Sequence, residues 1–312
     1  MKLSKPDFWK NKNSILAILL LPISIIIQIM YLIKNILVSK KIFQVPVICV
    51  GNIYVGGTGK TPLSIRMFNS LKKTNKNPII IKKFYNNQQD EARLIKEKTG
   101  NIIQDKSRIK AVESAIKKKF NLMILDDGFQ DKSLEKSLSI LCFNSEQLIG
   151  NGFTLPSGPL REPFSSIKNS QIIVINGSRD EVFEKKNYDI GHKNIKIFYT
   201  KYLPLNIKKL ENTEILAFAG IGNPQNFFKL LSNYNLKLKE KISYPDHYEY
   251  KKKDIEYLFT LSKKNNLRLL TTEKDFFRLK QLGLNEGINY LSVELGIQEE
   301  EKFFDEIKKY IK

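Results

Sequence analysis

The sequence predicts an α/β protein with three parts. These are a parallel sheet with helices on both faces, a second and smaller α/β unit, and an N-terminal membrane-anchor helix. Three observations carry the prediction. Short apolar runs of strand length alternate with segments of helical period, the pattern of buried parallel strands joined by crossover helices. A polar, Lys/Asn-rich stretch from Asp180 to Lys209 separates two such series. A nineteen-residue apolar segment, Ile15–Ile33, precedes both. The expected organisation is an anchor over 1–40, a core over 41–205 and a smaller C-terminal unit over 206–312.

The N-terminal segment reads ILAILLLPISIIIQIMYLI. At 1.5 Å per residue its length approaches the ~30 Å hydrocarbon core of a bilayer. Pro22, Ser24 and Gln28 interrupt it, and lysines flank both ends. A cleaved signal peptide needs a small-residue cleavage site, which Lys34–Val38 does not offer. A single span should carry its basic residues to one side, and here both sides are basic. The first reading is therefore an embedded or interfacial anchor whose basic ends meet anionic headgroups. A true span is second and a buried helix third. Trp9 and Tyr31 suit either an interface or a core.

The remaining elements follow along the chain. Val45–Val50 is a buried strand and Thr61–Lys73 a helix with Ile65, Met67, Phe68 and Leu71 near helical spacing. Pro78–Ile81 reads as a strand, Asp105–Lys119 as a helix and Leu122–Leu125 as a strand. Leu138–Phe143 and Gln171–Ile175 are further apolar strands. Beyond the polar stretch come a strand at Ile215–Phe218, helices at Asn223–Ser232 and Asp254–Lys264, and a strand at Leu267–Thr271. A strand at Tyr290–Val293 and a closing helix at Glu299–Ile311 complete the chain, which has no internal repeat.

Composition narrows the class. In 312 residues 42% are hydrophobic and 27% charged, which excludes a disordered chain and a multi-span membrane protein. Two cysteines, Cys49 and Cys142, exclude a disulfide framework and sit in apolar runs as buried thiols. The formal charge is +20, from 52 basic and 32 acidic residues. The lysines are scattered and no nucleic-acid reader motif accompanies them, so nucleic acid is not the expected partner. A phosphate, a nucleotide or an anionic membrane surface is.

One motif carries chemistry. The first strand runs into GNIYVGGTGKTP, a strand, a glycine-rich loop and a helix. Gly56, Gly57, Thr58 and Gly59 let backbone N–H groups curl round a phosphate, Lys60 reaches the terminal phosphates, and the Thr61 hydroxyl suits Mg²⁺. The strict pattern G-x-x-x-x-G-K-[ST] fails only at Tyr54, where its first glycine belongs. The expected partner is an apolar strand ending in Asp. Leu122–Leu125 followed by Asp126 and Asp127 fits, at the sheet edge where open α/β folds bind ligands.

With DDGFQ and LPSGPLREP, this loop resembles the tetraacyldisaccharide 4'-kinase family. FAGI with Asn223-Pro224, YPDHY over Tyr244–Tyr248 and TTEKD over Thr271–Asp275 extend the resemblance, in order, over almost the whole chain. It implies a P-loop NTPase-like core and a cleft between two α/β units. It also implies transfer of the γ-phosphate of ATP to the 4'-hydroxyl of an acylated disaccharide 1-phosphate glycolipid, giving the bis-phosphorylated lipid A precursor. The implied place is the inner membrane, peripheral or monotopic, with the active site facing the cytoplasm. Carried onto this chain, Asp90 is the base with His247 in support, and Lys60 holds phosphate. Thr61, Asp126, Asp127 and Glu162 lie at Mg²⁺, and Arg161 and Gln130 at the substrate. His192, in the polar stretch, reads as a surface residue.

The chain departs from the family pattern at Lys83-Phe84-Tyr85 in place of Arg-Gly-Tyr, at Gln89 before Asp90, and at Asp131 after DDGFQ. The alternative is a membrane-associated P-loop ATPase switch without lipid kinase activity. Its deviant loop carries an early lysine, and Val55 stands before Gly56-Gly57 here.

Overall fold

The computed structural model describes residues 6–85, 89–189, 194–246 and 248–311. Two helices come first, α1 (Ile15–Leu19) and α2 (Leu21–Leu37). They part at Leu20, two residues before Pro22, whose ring has no N–H to offer the preceding turn. Among the described residues no helix is long and apolar enough to cross a membrane.

The first sheet is built from β1 (Val47–Gly51), α3 (Lys60–Leu71), β2 (Pro78–Lys83), α4 (Gln89–Thr99), β3 (Ile103–Asp105), α5 (Arg108–Lys117), β4 (Leu122–Asp126), β5 (Leu138–Asn144), β6 (Ile172–Asn176), α6 (Glu181–Asp189) and β7 (Lys196–Pro204). The smaller sheet follows, with β8 (Glu214–Ala219), α7 (Pro224–Asn233), β9 (Lys237–Ser243), α8 (Lys252–Lys264), β10 (Arg268–Thr272), α9 (Glu273–Gln281) and β11 (Asn289–Leu291). The chain then returns to the first sheet through β12 (Val293–Ile297) and closes with α10 (Glu300–Lys308).

The large sheet has the order β12-β7-β6-β5-β1-β4-β2-β3 and the small one β11-β10-β8-β9. Neighbours pair in parallel except β12, which runs antiparallel to β7. The α/β class and the mostly parallel sheet are as the sequence predicts. The central strands β1, β4 and β5 are buried along their full length, which is why each reads as a continuous apolar run. One face of the large sheet carries Leu63, Met67 and Leu71 of α3 with Phe303 and Ile307 of α10. The other carries Ala111, Val112 and Ala115 of α5 with Phe129, Leu134 and Leu160.

Two expectations need correction. Tyr290–Val293 is not one strand: it splits at Ser292 into β11 of the small sheet and β12 of the large one. The closing helix therefore packs on the large sheet, where Phe303 and Ile307 are fully buried, rather than with the residues before it. Sequence reading also passes over α4, β3, α6, β7, β9 and α9. Both cysteines are free and buried, as expected.

Candidate active site

The phosphate loop grows from the end of β1, which pairs with β4 on one side and β5 on the other. The chain leaves β1 for β2 on one side, while the neighbouring β5 leads to β6 on the other, so their carboxyl ends flank the crevice where such sheets take ligands. Gly51 closes the strand against Phe129: a Cβ there would sit 2.5 Å from the Phe129 Cβ. The structure explains Tyr54. Residues 53–55 do not curl; they zip onto the LREP segment. The Arg161 N–H donates to the Ile53 carbonyl at 2.7 Å and the Val55 N–H to the Pro159 carbonyl at 2.9 Å. The Tyr54 ring enters the core, so no glycine is required there. The curl starts later, at Gly56 (φ +127°) and Gly59 (φ +87°), conformations that favour glycine. Asn52 fastens the loop from inside, donating to the Tyr54 carbonyl and to the Thr58 hydroxyl.

Below the loop the two adjacent aspartates have opposite environments. Asp126 ends β4 and is fully buried. Its Oδ2 accepts from the Thr61 hydroxyl at 3.0 Å and from Lys82 Nζ at 2.7 Å, and its Oδ1 from the Ser64 hydroxyl at 3.3 Å. Asp127 has left the strand with φ +58° and faces the loop. Lys60 Nζ lies 3.8 Å from its Oδ1, and Arg161 Nη1 reaches its two oxygens at 3.2 and 3.3 Å. Burial opposes the Asp127 charge, but Lys60 and Arg161 outweigh it and bring its pKa down to about 2.

Glu162 is buried beside them and accepts from the Tyr31 hydroxyl of α2 at 3.2 Å. Gln130, expected at the substrate, is tied on both sides. Its side-chain amide donates to the Asn52 carbonyl at 2.7 Å, and its backbone carbonyl accepts from the Tyr31 hydroxyl at 3.0 Å. Arg161 is likewise engaged, with Asp127.

A second cluster lies where the smaller unit meets α4. Asp90, in the first turn of α4, is buried; Arg278 Nη2 of α9 donates to its Oδ2 at 2.5 Å. Lys274 Nζ stands 3.4 Å from Asp90 Oδ2, 3.2 Å from Glu91 Oε1 and 3.8 Å from Asp246 Oδ1. The TTEKD motif builds this cluster. Thr272 caps α9, and Asp275 accepts from Arg278 at 2.8 Å and from the Gly220 N–H at 2.9 Å. Gly222 brings the small unit to the phosphate loop, since a Cβ on it would lie 3.2 Å from the Gly57 nitrogen. His247 and His192 lie outside the described residues.

The structure thus gathers Lys60, Thr61, Asp126, Asp127, Arg161 and Glu162 at the loop, with Asp90 beside Lys274 and Arg278. Sequence reading missed Tyr31, Lys82, Lys274 and Arg278 as site residues. TTEKD is visible as a motif, but only the fold shows that its cations reach α4. A lysine continuing a buried strand was the available signal for Lys82.

A parallel sheet whose central strand feeds a glycine loop, with a threonine–aspartate pair beneath it, defines a P-loop nucleotide-binding protein. A family model described as LpxK, tetraacyldisaccharide-1-P 4'-kinase, matches residues 16–312. The chain belongs to this kinase family. It is 42% identical to the tetraacyldisaccharide 4'-kinase of Pelagibacter ubique over 99% of this chain and 98% of that one. It is 35% identical to the protein of the same name from Rickettsia typhi, over 99% of both chains. A crystal structure of LpxK from Aquifex aeolicus, described as an "apo" form in complex with ATP, aligns with TM-score 0.71 and 26% identity, covering 96% of this chain and 100% of that chain.

Proposed function

We propose that this chain transfers the γ-phosphoryl group of ATP to the 4'-hydroxyl of a tetraacylated disaccharide 1-phosphate, with each end of the cleft serving one reactant. The observation that carries the reading is that two charged groups meet where the smaller unit approaches the phosphate loop, at Gly222 beside Gly57. In one, Lys60 and the Thr61–Asp126 pair lie under the phosphate loop; in the other, Asp90 is held by cations of the smaller unit. Lys60 and the loop amides hold the β- and γ-phosphates. Arg161 stands ready to share its guanidinium between Asp127 and phosphate oxygens.

The donors fit Mg²⁺. Thr61, Asp127 and Glu162 offer only oxygen, and two of the three are carboxylates. A cation that keeps several waters and binds through one or two carboxylates plus phosphates suits such a site. Bound there, Mg²⁺ supplies charge neutralisation at the transferring phosphoryl group. Asp90 accepts the proton of the attacking hydroxyl, with His247 in support. Arg278 and Lys274 keep its carboxylate aimed and ionised.

The N-terminal helices seat the protein on the anionic face of the inner membrane, with the cleft towards the cytoplasm. What supports this is a helix dressed in reverse. Ser24, Gln28 and Tyr31 turn inward, Ser24 bonding Ser157 at 2.9 Å and Gln28 the Thr154 hydroxyl at 2.6 Å. Outward stand Leu19, Ile26, Met30 and Ile36, from 58% to 82% exposed. A contiguous apolar surface of this kind marks a membrane or partner contact, and the flanking lysines favour an anionic one. Trp9 is part of the inward attachment, its indole N–H donating to the Pro156 carbonyl at 3.1 Å.

The test is the product. Incubation with ATP, Mg²⁺ and the acylated disaccharide 1-phosphate should yield a glycolipid with a second phosphate. ATP turnover that leaves the lipid unchanged would overturn the kinase reading in favour of an ATPase switch.

A further inference from the structure

Lys82 lies one residue before the end of β2, and the reaction as assigned above makes no use of it. Its side chain is only 3% exposed, with Nζ 2.7 Å from Asp126 Oδ2 and 2.7 Å from Glu91 Oε2. Burial opposes its charge, but Asp126 and Glu91 outweigh it and hold its pKa above the ordinary lysine value. Buried this deeply, a lysine stays charged only where carboxylates compensate it. Both carboxylates have second partners. Asp126 Oδ2 also accepts from Thr61 at the start of α3. Glu91 follows Asp90 on α4, and its Oε1 lies 3.2 Å from Lys274 of α9. A row of side chains, Thr61–Asp126–Lys82–Glu91–Lys274, therefore runs from the phosphate loop to the smaller unit, its charges alternating from Asp126 onward.

We propose that Lys82 is a positioning residue, a resident cation that neutralises Asp126 and Glu91 and ties the phosphate end of the cleft to the helix that carries Asp90. The inference rests on the reading of the glycine loop as the ATP site. Two consequences follow from charge and from position. Without the ammonium, Asp126 is left a buried and uncompensated charge that repels the triphosphate, which a bound divalent cation would partly offset, while Glu91 keeps only Lys274. Without the bridge, α4 loses its fixed distance from β4, and Asp90 loses its aim.

The test is equilibrium binding of ATP to the full chain by calorimetry, once with Mg²⁺ and once with EDTA. Lys82→Met should lose about tenfold or more in metal-free ATP affinity and clearly less with Mg²⁺, the response to an uncompensated buried charge. Lys82→Arg should restore the ratio. Equal losses in both conditions, or no loss, would overturn the proposal. Failure of the unsubstituted protein to bind ATP in either condition would instead overturn the loop's assignment. Should Lys82→Met not fold, Glu91→Gln leaves Asp126 its cation. ATP affinity with and without Mg²⁺ should then stay within about twofold while kcat falls about tenfold. An unchanged kcat would remove the tie to α4.

Discussion

Asp126 ends a strand with its carboxylate saturated by Thr61, Ser64 and Lys82, whereas Asp127, one residue later, meets Lys60 and Arg161 at the loop. The difference gives Asp127 a pH signature. Its folded pKa lies near 2, below the ordinary Asp value of about 3.9. Its stabilising contribution is therefore complete above about pH 4 and is lost as pH falls towards 2. Denaturant titrations between those limits should show Asp127→Asn with a shallower fall in stability than the unsubstituted protein. For the phosphate contact, Lys60→Ala should lower kcat/KM about 10²- to 10³-fold or more in steady-state kinetics, and ATP should no longer raise the thermal midpoint as it does in the unsubstituted protein. Asp90→Asn should depress kcat by a similar factor while calorimetry finds ATP affinity nearly intact. A large loss of ATP binding would move Asp90 to the nucleotide end. At this scale the phosphate loop was legible because local spacing builds it. Arg278 and Lys274 were not, because 188 residues separate Arg278 from the carboxylate it grips.

Helix α2 has two unlike faces. Its polar residues hold it to the 154–162 segment, and its apolar residues are exposed. Deleting it would confound the two, since Tyr31 also bonds Glu162. Substituting the outer face alone separates them. Ile26→Lys with Met30→Lys should reduce co-sedimentation with anionic vesicles by tenfold or more, given about 1.5–3 kcal/mol for each large apolar side chain withdrawn from a bilayer. ATP affinity should not change. Undiminished sedimentation would mean that another surface holds the membrane. Legibility follows the same logic for elements. Buried strands such as β1 and β4 announce themselves as apolar runs. Strand β9, KLKEKIS, is an edge strand exposed or half-exposed throughout, and β3 has three residues. Helix α4 buries Ala92 and Ile95 amid charges, too thin an apolar stripe to read.

Across the molecule, the smaller unit is inserted into the larger one rather than appended to it. The chain leaves the large sheet after β7 and returns as that strand's antiparallel neighbour, β12. Arg66 of α3 pins the return, with Nη1 2.5 Å from Glu294 and Nη2 2.6 Å from Glu300. Ion pairs from Lys98 to Glu273 and from Arg278 to Asp90 join the units at the cleft. Phe303→Ala, which empties a fully buried site on the large sheet, should therefore cost about 3–5 kcal/mol in urea unfolding. It should lower phosphate-loop activity at elevated temperature even though Phe303 lies far along the sequence from the loop. The two α/β series were legible from alternation, but the crossing at Ser292 was not, because one short apolar run serves two sheets.

That return has a consequence for how the protein is made. A ribosome delivers the apolar N-terminal helices first and the phosphate loop soon after. The flank of the large sheet waits for Val293–Ile297 and Glu300–Lys308. Until they emerge, Met67, Leu71 and Val174 lack their final cover. A nascent chain stalled before Val293 would carry a recognisable nucleotide loop on an unfinished sheet. The ability to grip ATP should thus arise late in synthesis, after nearly every residue of the site has been translated.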